Sequence, residues 1–214
     1  MALEGTHIKF ALDTKDYYKP GDIAGYLSGS IYPDSRYVTG IGRELTHFAE
    51  LKNIDERETD DFKKGWACHF VCDHIMRSVM EDLFQDLLKK DGSNKDWIIR
   101  TALKILVDID VMKQFSVDVY LDLFQVRPRP HGENPVLLSR YYMVIRKAYE
   151  GKKEITLADC METWQGLNVG VEVCDALSAQ ATVCLSDQNI VERARGMYPE
   201  MLKRFGVLKH FVLS

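Results

Sequence analysis

The sequence predicts an all-α fold, a single helical domain over residues 1–214, on three observations. The longest patterned stretch repeats its apolar residues at alternating steps of four and three, the period of a helix that buries one face. Proline and glycine clusters break the chain at helix-length intervals. The one segment that alternates with a period of two, Asn168 to Cys174 with Val169, Val171 and Val173, has no second clear strand to pair with and reads as helix or irregular.

Taken in order, the first helix runs from His7 to about Tyr18 with Ile8, Ala11 and Leu12 on one face. Pro20-Gly21-Asp22 breaks it, and Asp22 or Gly21 caps a short second helix, Ile23 to Leu27. Gly29 through Arg43, rich in Gly and polar residues, reads as loop, the kind of segment that aims side chains inward. The clearest helix spans about Thr59 to Lys90, and its seam is Phe62, Trp66, His69, Asp73, Met76, Met80, Leu83 and Leu87. Two ionisable side chains thus occupy consecutive core positions of a long helix. After Asp91-Gly92-Ser93-Asn94 a helical region covers Lys95 to Val126, broken near Asp110. Arg127 to Pro135 carries three prolines and is a loop, a connector rather than a lid. Helices follow over Val136–Tyr149, Leu157–Trp164 with Thr156 as N-cap, and Gln188–Tyr198. Pro199 then opens a further turn or helix ending at Gly206.

Composition narrows the function classes. Apolar residues at 46% and charged residues at 28% argue against extended disorder. A net charge of −4 supplies no general attraction for nucleic acid or anionic membrane, and no nucleic-acid partner is expected. No apolar run is long enough to span a bilayer. The opening residues Met1 to His7 lack a basic region followed by an apolar one, so no secretion signal is expected. Five cysteines at scattered spacing make a poor disulfide framework, and a reducing cytoplasmic location with buried thiols is the expectation.

His69 and Asp73, at i and i+4, share one helix face. Alone they read as a buried ion pair. Asp34 and His47, in and beside the Gly-rich segment, change that reading, because two imidazoles and two carboxylates form a donor set for a divalent ion. Zinc is the first choice, and manganese, iron and nickel suit the same donors. Cys72 is a second-choice ligand and Cys68 packs. Arg36 and Arg43 flank the Gly-rich segment and suit phosphate; His74, about 100° around the helix from Asp73, is a candidate general base. Most surface arginines and helix-borne histidines serve neither purpose, and the same applies to Tyr32 and Tyr37. Asp108 and Asp110 sit in an apolar setting, as late metal ligands or helix caps.

Three pieces together resemble the zinc-dependent phospholipase C family in its broad sense, which is akin to the single-strand-specific zinc nucleases. They are the first helix with His7, the Gly29-Ser30-Ile31-Tyr32-Pro33-Asp34 segment leading to Thr46-His47, and Gly65-Trp66-Ala67-Cys68-His69-Phe70-Val71-Cys72-Asp73. They cover about the first 80 residues. The resemblance implies an all-α fold and a zinc centre that cleaves phosphoesters, with Asp34, His47, His69 and Asp73 matching four ligands of one zinc. His7 resembles the family's first-helix histidine, which serves another metal. The family's fully equipped enzymes bind three metals, adding a His a few residues past the helical Asp and a His-x-x-x-Glu pair. Here the residue six past Asp73 is Val79, and no His-x-x-x-Glu occurs.

The expectation is therefore a mono-metal hydrolase acting on a small-molecule phosphoester. The alternative is a non-catalytic helical domain that keeps the metal pocket for stability or ligand binding. An HD-type phosphohydrolase ranks lower, since Asp73-His74 reverses that family's His-Asp order.

Overall fold

Helix α1 spans Glu4–Tyr18 in the computed structural model, followed by α2 (Ile23–Ile31), α3 (Arg36–Thr39), α4 (Arg43–Thr46) and α5 (Asp61–Leu83). Then come α6 (Asn94–Met112), α7 (Pro135–Tyr149), α8 (Leu157–Gly166), α9 (Val171–Ser186) and α10 (Gln188–Val212). The structure describes residues 4–89, 91–124 and 128–212, with side chains to residue 207. No strand occurs among the described residues, so the chain is all-helical. None of their helices is long and apolar enough to cross a membrane.

Local chemistry explains the boundaries. The Asp22 carboxylate accepts from the Ala24 amide at the start of α2, and Asp60 accepts from Phe62 and Lys63 at the start of α5. Ser93 caps α6, and Asn134 caps α7 with Pro135 in the first turn. Thr156 and Asp159 form a reciprocal capping box on α8, at the N-cap that the sequence predicts.

Helix α5 is the axis of the molecule, packed against α1, α2 and α10. Its seam from Phe62 through Trp66, His69, Asp73 and Met76 to Met80 is buried, as the period predicts. The helix stops at Leu83, several residues short of the expected end; Phe84, fully buried, donates its amide to Met80 as the closing cap. All five cysteines are free and buried.

Two expectations change. Gly29 to Arg43 is mostly helical, because α2 continues through Gly29, Ser30 and Ile31 before a 3-10 turn over Tyr32–Ser35. The glycines serve contact rather than looseness: a Cβ on Gly29 would stand 2.0 Å from the Phe62 carbonyl oxygen, and one on Gly65 would stand 1.9 Å from that of Tyr26. The α2 and α5 backbones touch, with a glycine on each side of the crossing. Next, Pro199 does not start a new helix but lies inside α10. Ile190, Ala194, Met197, Met201 and Phe205 are buried along one face on both sides of it, while Pro199 and Arg195 face solvent. The carbonyl that loses its donor therefore meets water, and burial carries the helix through. The Val169–Val173 alternation, read as helix or irregular, belongs to the entry into α9, with Gly170 at its N-cap. The Pro-rich connector is anchored by Glu133, which is buried and accepts from the Tyr32 hydroxyl; Arg127 lies outside the described residues.

Replacing Gly65 or Gly29 by Ala drives a methyl into a facing carbonyl. Urea unfolding is expected to register a loss of about 3 kcal/mol or more for each. Gly196→Ala, in α10 with nothing within 4 Å of the added carbon, is expected to gain about 0.5–1 kcal/mol. Equal effects at the two kinds of site would contradict the crossing.

Candidate metal centre

Four elements bring five potential ligands together. His7 comes from α1, Asp34 from the 3-10 turn after α2, His47 from the residue after α4, and His69 and Asp73 from α5. Their donor atoms form two groups that share His69: His7, Asp34 and His69, and His47, His69 and Asp73, the atoms of each group lying within 4.8 Å of one another. His7 Nε2 is 4.0 Å from Asp34 Oδ2 and 3.9 Å from Asp73 Oδ1, and His47 Nε2 is 3.6 Å from Asp73 Oδ2. Two ligands of a tetrahedral zinc are separated by about 3.4 Å, so the spacing fits an ion with small adjustments. Such buried His and Asp groups could hold a metal ion.

The sequence-derived quartet of Asp34, His47, His69 and Asp73 is thus gathered in one place, but Asp34 and the His47–Asp73 pair fall in different groups. His7, whose role the sequence left open, stacks on His69 with ring centroids 3.8 Å apart and an interplanar angle of 15°. Its signal in the sequence was its resemblance to the first-helix histidine of the zinc-dependent phospholipase C family. Cys72 belongs to neither group.

Each ring is aimed from behind. The His69 Nδ1 lies 2.9 Å from the Ser30 carbonyl oxygen, so in the donating tautomer Nε2 keeps its lone pair toward the cluster. This contact exists because the glycine crossing brings the end of α2 against α5. The Thr46 hydroxyl lies 2.8 Å from His47 Nδ1 and plays the same part. Trp66 Nε1 donates to the Thr46 carbonyl at 2.7 Å and ties the His47 segment to α5. Tyr141 donates its hydroxyl to the Ile31 carbonyl at 2.7 Å, fixing the turn that carries Asp34.

Asp108 resolves as an N-terminal anchor for α1. It accepts from the Thr6 amide and the Thr6 hydroxyl, both at 2.6 Å, and from the Tyr149 hydroxyl at 3.1 Å. Tyr149 in turn accepts from the Gly5 amide at 2.8 Å. Two orphan amides of α1 are therefore satisfied by side chains from α6 and α7, immediately before His7. Asp110 lies away from this network, 3.7 Å from Arg195 and 4.0 Å from Lys113.

Electrostatically the cluster is unusual for a protein interior. The Nε2 atoms of His47 and His69, both ring nitrogens of His7 and both Asp34 oxygens are buried without a hydrogen bond from the described residues. An ionised carboxylate so placed is costly unless a cation joins it. Burial pushes the Asp34 carboxyl up, and the nearby Asp73 adds to the rise. Burial pushes His47 and His69 down to about 4, and His7 well below its usual range. All three imidazoles are therefore neutral at pH 7, the form that binds a metal. Burial works to raise Asp73 as well, but the Lys104 ammonium, 3.5 Å from its Oδ1, helps to hold it well below the ordinary carboxylate range. Lys104 had no signal in the sequence beyond standing in an apolar helical run.

Arg36 stacks on the Tyr37 ring, its guanidinium carbon 4.0 Å from the centroid, and one terminal nitrogen donates to the Tyr37 hydroxyl. Burial raises the Tyr37 phenol, with Asp34 and Asp73 adding to it and Arg36 and Arg43 opposing, so this segment shares the field of the cluster. Arg43 is exposed at the start of α4. His74 is exposed on another side of α5 and lines a separate groove of about 420 Å³ with Tyr17, Ile54, Phe70 and Phe205.

Beside the cluster, Glu4 is fully buried and its carboxyl is raised to about 8, by burial first and then by Asp34. A folded-state value above the unfolded one stabilises the fold at low pH and is lost as pH rises through 8. The histidines act with the opposite sign, but only between about 4 and 6.5. Chelator-stripped protein is therefore expected to lose Tm between pH 6.5 and 8, and Glu4→Gln to flatten that slope. A slope unchanged by the substitution would remove Glu4 from the account. No family model, no curated protein and no solved structure matches the chain.

Proposed function

We propose that the chain is a metal-dependent hydrolase that cleaves a small-molecule phosphoester through a single divalent ion, with zinc as the first choice and manganese, iron or nickel suited to the same donors. The observation that carries the reading is the convergence of His7, His47 and His69 on Asp34 and Asp73, with the Nε2 of each imidazole and both Asp34 oxygens buried and without a hydrogen bond from the described residues. Because His69 Nδ1 faces the Ser30 carbonyl, His69 has one lone pair to give and takes one ion. The two groups that share it are then parts of one centre rather than two independent ones. Imidazole and carboxylate donors, without a thiolate, suit a hydrolytic ion.

A bound divalent ion supplies Lewis acidity and makes water acidic near neutral pH. The chain's own residues do the rest. Ser30 and Thr46 hold His69 and His47 in the ligating tautomer. Arg36 and Arg43 suit the binding of phosphoryl oxygens, Arg36 with its plane fixed on Tyr37. The resemblance to zinc-dependent phospholipases C agrees with this chemistry, and the missing ligands of that family's second and third metals argue for one ion.

Metal analysis by mass spectrometry, on protein purified without a nickel column, tests the centre. About one equivalent of metal in wild type and little in His69→Ala is expected. Thr46→Val, which removes only the hydroxyl behind His47, is expected to weaken metal binding roughly 10- to 100-fold. The loaded protein is expected to hydrolyse a nitrophenyl phosphomonoester or diester, and His69→Ala to leave both intact. Metal without hydrolysis would favour the non-catalytic binding domain; no metal after adding back zinc would leave the cluster as packing.

A further inference from the structure

Lys104 stands on α6 between Leu103 and Ile105, both with no exposed surface. Its own side chain is 15% exposed, so the stem is covered by the core while the ammonium reaches an edge. That ammonium lies 3.5 Å from Asp73 Oδ1. A lysine this deep in a helical run costs desolvation, and a partner only 9–10% exposed makes the pair an interior one.

The charges of the centre decide what such a lysine does. Asp34 and Asp73 bring two carboxylates, and an imidazole that gives its lone pair to an ion adds no charge of its own. A divalent ion cancels the two carboxylates. Lys104 then adds a positive charge 3.5 Å from Asp73 that favours an anionic group, in a setting largely screened from water. Lys104 is also more exposed than any of the five candidate ligands, whose side chains are at most 10% exposed.

We propose that Lys104 is a further anion-binding residue of this centre, besides Arg36 and Arg43, its ammonium taking a phosphoryl oxygen of the substrate once an ion has bound Asp73. This rests on the metal reading above. The ammonium balances Asp73 in the empty cluster and turns to the incoming phosphoryl group when the ion takes over that carboxylate. Lys104 thus contributes substrate affinity, while the ligands contribute metal affinity.

Titration calorimetry of zinc-loaded protein with inorganic phosphate separates the two contributions. Lys104→Met keeps the stem and removes the charge. It is expected to retain its zinc and to lose phosphate affinity roughly 10- to 100-fold, the worth of one charged hydrogen bond. Lys104→Arg, which keeps the charge, is expected to bind phosphate more tightly than Lys104→Met, and Lys104→Gln, which is also uncharged, takes the place of the methionine variant if that one does not fold. Equal phosphate affinity in wild type and the variants would overturn the proposal and leave Lys104 as a partner of Asp73 only. Loss of zinc from Lys104→Met would overturn it as well, since the lysine would then serve the metal site. Zinc-loaded wild type that binds no phosphate would end this proposal while the metal centre stood; wild type that binds no zinc would end the metal reading itself.

Discussion

The backbone contact between α2 and α5 is the constraint on which the rest depends. Gly29 and Gly65 let the two helices meet with no side chain between them. This close approach sets the Ser30 carbonyl against His69 and carries the chain directly into the turn that holds Asp34. Tyr32, packed on Phe62 and Trp66, and Trp66, bonded to Thr46, extend the same contact toward His47. One methyl at the crossing would displace three of the five ligands together. The crossing is as much a device for positioning the cluster as for packing.

Around that contact the interior holds more unsatisfied polarity than folding alone would favour. Asp34 is buried with both oxygens lacking a hydrogen bond from the described residues, and Glu4 nearby is held as a neutral acid. Each such group costs on the order of 1–3 kcal/mol against a net stability of about 5–15 kcal/mol. The molecule tolerates them because their neighbours are rigid: Asp108 and Tyr149 clamp the start of α1, and Tyr141 clamps the end of α2. Strain of this kind in a well-clamped setting is what an ion would relieve, and it links metal affinity to the stability of the whole fold.

Much of this was legible in the sequence, because it follows from period. The alternating seam of α5 put His69 and Asp73 in the core, and the caps at Asp22 and Thr156 obey local rules that need no tertiary knowledge. What was misread depends on contacts distant in the chain. Gly29 through Arg43 looks like a loop because glycine disfavours an isolated helix, yet burial against α5 outweighs that preference. Pro199 looks like a boundary, yet Met197 and Met201 anchor the helix on both sides of it. His7 could be placed on a helix face but not beside His69, 62 residues away, and Asp108 could not be chosen as ligand or cap without Thr6 and Tyr149 in view. Lys104 was invisible for the same reason: only the packing of α6 against its neighbours gives its charge a partner.

The most direct measurement is anomalous diffraction at the zinc edge from crystals grown with zinc. The account predicts one strong peak within bonding distance of His69 Nε2, with its other protein contacts drawn from His7, Asp34, His47 and Asp73. A peak bound elsewhere, or ordered density for His69 with no ion beside it under saturating zinc, would contradict it.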